Sequence, residues 1–317
     1  MTYDGQGFGL SRLRTATYIE SLDMSGPKLI LMFNDTDGTM VDLIGFKEHA
    51  EVLEVEFSDP LERDSTNFKE RFIIENLKEA ANGGLQVSCL AEVVSKVKRK
   101  ADKTTIYAAG SPLKAIKAIT GADVQGSSFP AGPEFHLLAD MRPSKLLRNI
   151  ASEIGARIFY LRGTWYAVSI DDLFKATPYK TLTHNKAKSY NAITSVINLG
   201  DQKVIGEVGR ARHSGWSMTK GLISEGKGRS FPTGIDNKAS LIAMGRLLVP
   251  QLEFQIPVDA DTEITPKTVL DMEWHRQGNP EAPINESMPE RVLVGSIAHH
   301  FDGSRLRQRV VTLKEVK

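Results

Sequence analysis

Residues Gly221 to Gly228, GLISEGKG, carry the spacing of a phosphate-binding loop, G-x-x-x-x-G-K, in which backbone N–H groups cradle phosphates and the lysine, here Lys227, reaches the outer ones. Such a loop needs a Ser or Thr hydroxyl for Mg²⁺ after the lysine, and the residue there is Gly228. It must also open a helix, whereas GRSFPTG contains Pro232 and two glycines. The stretch therefore reads as a solvated loop. The pair His299-His300 offers imidazole for a metal, but neighbours on a strand point to opposite faces and cannot ligate one ion unaided. His184, His213 and His275 stand at no recognisable ligand spacing. The structural reading puts His299 under Phe301 and His300 beside Arg305. Asp171-Asp172 and the pair Glu54 and Glu56 have the types of a glycosidase acid and base, whose separation in space alone decides the matter. Asp171 reads instead as the cap of a short helix. With no nucleophile turn either, the chain reads as a non-enzyme with no catalytic residue, no cofactor and no metal.

Composition narrows the partners. In 317 residues, 40 Lys and Arg nearly cancel 39 Asp and Glu, so no global field draws the chain to nucleic acid or an anionic membrane. The densest basic run, Lys96 to Lys103, has no interleaved aromatics and reads as a solvated loop or strand end. One cysteine, Cys89, excludes an intrachain disulfide and a thiolate metal site built from this chain alone. No run of about 18 apolar residues exists and the start lacks an apolar signal region, so the chain is expected to be soluble where it is made.

The elements that must position any site are mostly strands. Arg291 to Leu313, RVLVGSIAHHFDGSRLRQRVVTL, folds on paper into a hairpin with Asp302-Gly303 as a two-residue loop. Phe301 then opposes Ser304, His300 opposes Arg305, Ala298 opposes Arg307 and Ser296 opposes Arg309. Alternation gives a core face of Leu293, Ile297, His299, Phe301, Leu306 and Val310 and a wet face of Ser296, Ala298, His300, Arg305, Arg307 and Arg309. Three guanidinium groups about 7 Å apart repel one another unless carboxylates answer them. Arg305, Arg307, Arg309 and His300 are therefore candidates for a subunit interface or a channel lining.

Upstream, residues 1–16 are polar and Gly-rich and read as an arm ordered only by a partner. KLILMFN, TMVDLIGF and HAEVLEVEF read as a three-stranded meander with Asp37-Gly38 between the first two. RFIIENL and LQVSCLAEVV are further strand candidates, the second also readable as a helix. Residues 17–100 are assigned to a first β-barrel or sandwich domain. In residues 101–182, an α+β insert, TTIYAAG is a strand, Ser111-Pro112 opens a helix stopped by Gly121, and GADVQGSSFPAGPE is a loop. A second helix starts at Pro143-Ser144, carries Leu146, Leu147, Ile150 and Ile154 at helical spacing, and stops at Gly155. ARIFYLR and TWYAVSI follow as strands around Arg162-Gly163. Residues 183–317 form a second β-barrel domain, with AITSVINLG and KVIGEVG as strands and 210–235 as a long irregular segment. The fold class is thus α+β and β-rich, two small tube-like barrels or sandwiches with the insert between them.

The order of a small-residue helix (Lys238 to Leu248), the strand LEFQIPVDA, the strand ITPKTVLDMEW and the hairpin RVLVGSIAHHFDGSRLRQRVVTL resembles the C-terminal half of the baseplate central hub proteins of contractile-tailed phages, the late control D-type tail proteins. DMRPSKLLRNIASEIGARIFYLRGTWYAVSIDDLF resembles their helix-plus-hairpin insert. The resemblance implies a structural virion protein of the tail baseplate, assembled in the host cytoplasm. Two similar β-domains in each of three subunits would match a sixfold tail tube above and a threefold spike below. It implies a homotrimer that contacts a spike protein, a tube or tube-initiator protein and the tape measure protein, with no membrane and no sequence-specific nucleic-acid binding. The alternatives are a cell-wall hydrolase and a carbohydrate-binding module that uses Trp165, Trp216 and Trp274 as stacking platforms, although core duty is expected of at least two of these.

Overall fold

Apolar side chains recur at every second position through most of the chain, and strands are the result. The computed structural model describes residues 1–317 except 4–5, 8, 50–51, 58–67, 81, 185–191, 200–211, 227–229, 233–236, 258–260, 277–282, 304 and 317. The N-terminal part holds β1 (Thr2–Tyr3), β2 (Gln6–Gly7), β3 (Leu13–Ser21), β4 (Lys28–Asn34), β5 (Val52–Phe57), β6 (Phe68–Ala80) and β7 (Gly84–Ala91). They form one sheet in the order β3-β4-β7-β6-β5-β1-β2. The insert follows with α1 (Glu92–Lys98), β8 (Thr105–Tyr107), α2 (Pro112–Thr120), β9 (Val124–Gly126), β10 (Phe135–Leu137), α3 (Pro143–Glu153), β11 (Ala156–Leu161), β12 (Thr164–Ser169) and α4 (Ile170–Lys175). The C-terminal part holds β13 (Thr181–His184), β14 (Ala192–Asn198), β15 (Arg212–Ser217), β16 (Gly221–Gly226), β17 (Ser230–Pro232), α5 (Lys238–Gly245), β18 (Leu247–Ile256), β19 (Val269–Glu273), β20 (Arg291–Phe301) and β21 (Leu306–Val316).

Six of these strands close a barrel in the order β13-β14-β18-β21-β20-β19, because β19 pairs with both β13 and β20. Closure removes the sheet edges. Its interior is filled by Leu182, Ile193, Phe254, Leu270, Trp274 and Val310, among others. The protein is therefore α+β and β-rich, with a closed six-stranded barrel, further sheets and a helical insert.

One strand joins the barrel to the N-terminal sheet. Arg291 to Leu293 of β20 pair with β19, whereas Ser296 to Phe301 pair with β3. The change of partner falls at a bulge around Gly295, where the β20–β21 register shifts. A Cβ at Gly295 would stand 2.3 Å from Leu313 Cγ, so glycine lets the leucine pack on bare backbone at the junction. The Gly295 carbonyl accepts from Leu22 N–H at 2.8 Å.

Several elements differ from the sequence expectation. TMVDLIGF is not a strand. Gly38 is left-handed (φ 68°) and leads into a π-helical turn at Thr39–Leu43, and β4 pairs instead with β3 and β7. Asp35 Oδ1 accepts from Met40 N–H, giving the turn a local hydrogen bond that competes with strand pairing. Within the stretch expected to be an arm ordered only by a partner, Thr2 and Tyr3 pair with β5 of the same chain and the Tyr3 ring is buried edge-on against Phe46. LQVSCLAEVV is both things in turn, β7 and then α1, and the basic run begins in the last turn of α1, where cations suit the helix dipole. The loop after Gly121 contains β9, which pairs in parallel with β12. Ser169 caps α4 by accepting from Asp172 N–H, and Asp171 lies in its first turn. HSGWSMTKGLISEG is no irregular segment but the hairpin β15–β16, with β17 beside it. KVIGEVG lies outside the described residues.

Candidate assembly site

From Ile297 onward the β20–β21 hairpin has the expected faces but a different register, whereas Leu293, ahead of the bulge, is turned to the opposite side and packs with Phe159 and Leu313 rather than with Ile297 and Val310. Phe301 opposes Leu306, His300 opposes Arg307 and Ala298 opposes Arg309, so the loop has four residues rather than two. Asp302 Oδ1 accepts from Arg305 N–H at 2.9 Å, and Asp302 N–H donates to Arg305 O at 3.2 Å, which holds the wider loop. A shift of two residues preserves strand parity, so each side chain between the bulge and the loop keeps its face. His300 accordingly stands beside Arg307 rather than Arg305, and its Nδ1 is 2.8 Å from Thr17 Oγ1.

On the wet face, Arg305, Arg307 and Arg309 are exposed. Arg309 is answered within the chain by Glu253 of β18 and Arg307 by Asp302 at 3.5 Å. On the core face, His299 stacks on Tyr18, with ring centroids 6.1 Å apart, where the sequence put it under Phe301. Its Nε2 is 3.2 Å from Glu20 Oε2 and its Nδ1 is 3.1 Å from Gln308 Nε2.

Glu20 is fully buried, and it is the centre of a polar knot that the sequence reading missed. Arg162, from the turn between β11 and β12, donates from Nε at 2.9 Å and from Nη2 at 3.1 Å to the two Glu20 oxygens. Arg162 can point inward because it and Gly163 both have positive φ (45° and 87°), the requirement of a tight hairpin turn. Nη2 also donates to Thr262 O at 2.8 Å, and Gln308 Nε2 donates to Asp261 O at 2.6 Å. The knot thus ties together β3, the insert hairpin, the chain ahead of β19 and the C-terminal hairpin. Burial works to raise the Glu20 pKa, but His299 and Arg162 more than offset it and hold the carboxyl below its ordinary value. The available signal was a glutamate two residues from Tyr18, which alternation places on the same inward face as that ring.

Beside the knot lies a cavity of about 290 Å³ whose walls include Tyr18, Phe57, Phe68, Phe301 and Leu306, with Arg162 at its polar end. Phe57 and Phe68 stack at 4.7 Å, and the Arg162 guanidinium lies 5.1 Å from the Phe68 ring. The other chemistry-bearing residues are scattered. Glu54 and Glu56 face solvent on β5 beside Arg71 and Lys69. Asp171 pairs with Arg246 at 2.8 Å. Gly221 to Gly226 form strand β16, and Lys227 and Gly228 lie outside the described residues. Trp165 and Trp274 are buried and Trp216 is exposed.

This architecture can be set against known proteins. No family model matches the sequence, and no curated protein matches it either. Solved structures do match in fold. A tail protein from Neisseria meningitidis MC58 superposes with a TM-score of 0.61 at 9% identity, over 99% of this chain and 97% of that one. The 43 kDa tail protein of prophage MuSo2 from Shewanella oneidensis gives 0.54 at 9% identity, over 98% and 96%. An E. coli component of the type VI secretion system, described as structurally similar to the T4 bacteriophage tail proteins gp27 and gp5, gives 0.56 at 11% identity, over 98% of this chain and 75% of that one. The fold is shared with phage and secretion-system tail proteins. At such identities no side chain of these proteins stands in for one here, so the Glu20 knot and the arginine face rest on this chain's own geometry.

Proposed function

We propose that the chain is the central hub of a contractile tail or a related injection machine, a homotrimeric ring of the tail baseplate that joins a sixfold tube to a threefold spike and leaves a channel for tape measure and DNA. The observation that carries this reading is the tail-protein fold matched end to end, over 99% of the chain. The shared strand β20 adds a physical argument. It makes the barrel and the N-terminal sheet one hydrogen-bonded body, so each subunit presents two β-units at a fixed mutual angle. Three such subunits present six, which suits a sixfold tube on one side and a threefold spike on the other. The mechanism is geometric, and the obligate contacts of such a ring bury about 2,000 Å² or more. Partners are the spike, the tube or its initiator, and the tape measure protein.

Arg305, Arg307, Arg309 and His300 are proposed to line the channel or face acidic groups of a neighbour. Reversing the three arginine charges should weaken ring assembly or abolish it; unchanged assembly would remove them from the interface. The hub reading itself is tested by negative-stain class averages of the purified protein, alone and with its cognate spike. Threefold rings with a central hole are expected. Monomers under both conditions would overturn it.

A further inference from the structure

The hairpin β15–β16 takes no part in the barrel. It forms a separate small sheet with β17, and its principal packing partner is α5. Its far end carries Trp216, Met218 and Leu222, which are 65%, 92% and 70% exposed. Trp216 and Leu222 are directly opposed across the hairpin, and Met218 lies in the turn that joins the strands, so the three gather at one tip. Single exposed apolar residues need no explanation, but a contiguous cluster on a protruding ribbon marks a contact surface.

We propose that this finger seats in the cavity beside the Glu20 knot of the next copy of the chain, and so forms the repeating contact of the ring. The inference rests on the hub reading and names the surfaces that would build it. Three features favour a second copy as the occupant. The cavity, about 290 Å³ and walled by Tyr18, Phe57, Phe68 and Leu306, lies at the small end of the range for ligand pockets and suits one or two large apolar side chains. Finger and cavity differ in shape and belong to different elements of the chain, and a ring of identical subunits can be built from such a pair, because a head-to-tail contact whose rotation closes leaves no patch over. Opposite charges also stand near the two surfaces, since Glu56, beside Lys69 on the outer face of β5, borders the cavity and exposed Lys220 sits in the finger's turn. A tryptophan that enters an apolar pocket has the character of an interface hot spot.

The test uses full-length protein in which buried Cys89 is replaced by Ala. Met218→Cys and Leu306→Cys are made separately, mixed, assembled with or without the spike, and oxidised. A disulfide between the two different variants is expected, and the double variant should give covalent trimers on non-reducing gels. In parallel, Trp216→Ser with Leu222→Ser, at exposed positions, should leave circular dichroism and Tm unchanged while raising the ring's dissociation midpoint at least about 30-fold, the effect of losing one hot spot. Rings that show neither the mixed disulfide nor the shift would overturn the finger contact and leave the hub standing. A disulfide only between two Met218→Cys copies would mean like-to-like fingers and overturn it as well. If no ring forms under any condition, the hub reading fails first and takes this contact with it.

Discussion

Two carboxylates are buried on the inward side of the N-terminal sheet, and the sheet treats them in opposite ways. Glu20 on β3 meets a guanidinium, an imidazole and a tyrosine ring, and its pKa ends below the ordinary value. Glu70 on β6 has the hydroxyl of Tyr160 at 3.1 Å, and its Oε2 makes no hydrogen bond of ordinary geometry. Burial pushes Glu70 up to about 7, against the pull of Tyr160 and the Arg71 backbone N–H, and the charge of Glu20 adds to the push. The difference teaches that burial alone does not set the charge of a core glutamate. What sets it is whether a cation is brought in to the same place. Here Arg162 of the insert hairpin serves Glu20 and leaves Glu70 with a neutral donor.

Glu20 is the more sensitive position of the two. Glu20→Ala strands the Arg162 guanidinium in the core and should cost about 3–5 kcal/mol in urea unfolding. The double variant Glu20→Leu with Arg162→Met should cost clearly less than the sum of its parts, and a loss below about 1 kcal/mol for Glu20→Ala would mean that the knot is not a linchpin. The sign with pH follows from the lowered pKa. The contribution of Glu20 is present above the unfolded-state pKa and is lost as pH falls through the folded one.

Glu70 carries the opposite sign and the second-largest effect. Its folded pKa of about 7 lies above the ordinary 4.5, so the folded state holds the proton more tightly and stability falls as pH rises between those values. The total is on the order of 3 kcal/mol. Glu70→Gln should flatten that part of the stability–pH curve and make the variant the more stable protein above pH 7. Parallel curves for the two proteins would contradict the assignment. The smallest effect belongs to the solvent-exposed control. Arg309 pairs with Glu253 on the wet face of β21, and Arg309→Ala should change the stability of the monomer by no more than about 1 kcal/mol in 0.15 M salt. A loss as large as that of Glu20→Ala would erase the distinction between buried and exposed pairs.

Asp37-Gly38 and Asp302-Gly303 show how far the sequence could be read. At Asp302-Gly303 the flanks alternate, and the hairpin with its two faces follows as far as the bulge at Gly295, beyond which Leu293 changes side. Its register did not follow, because the Asp302 carboxylate holds a four-residue loop and alternation is blind to a shift of two. At Asp37-Gly38 the same dipeptide was misread. Asp37 takes Arg12 in a bidentate pair, Gly38 leads a π-helical turn, and the apolar Met40 and Phe46 reach the core from a loop rather than a strand. The finger was missed for a related reason. Its alternation is sound, but its large side chains face outward, so the pattern of a half-buried strand was absent.

Element type was set within a few residues of each position. The helix at Pro143, the turn at Arg162-Gly163 and the faces of the C-terminal hairpin depend on period, capping and the sign of φ, all of which are local. Closure of the barrel through β19, the division of β20 between two sheets and the meeting of Glu20 with Arg162 and His299 were decided only in three dimensions. Those last partners lie 142 and 279 residues from Glu20 in the chain. No local pattern encodes such a pairing, because it depends on which strands become neighbours and on which buried charge is left to answer another.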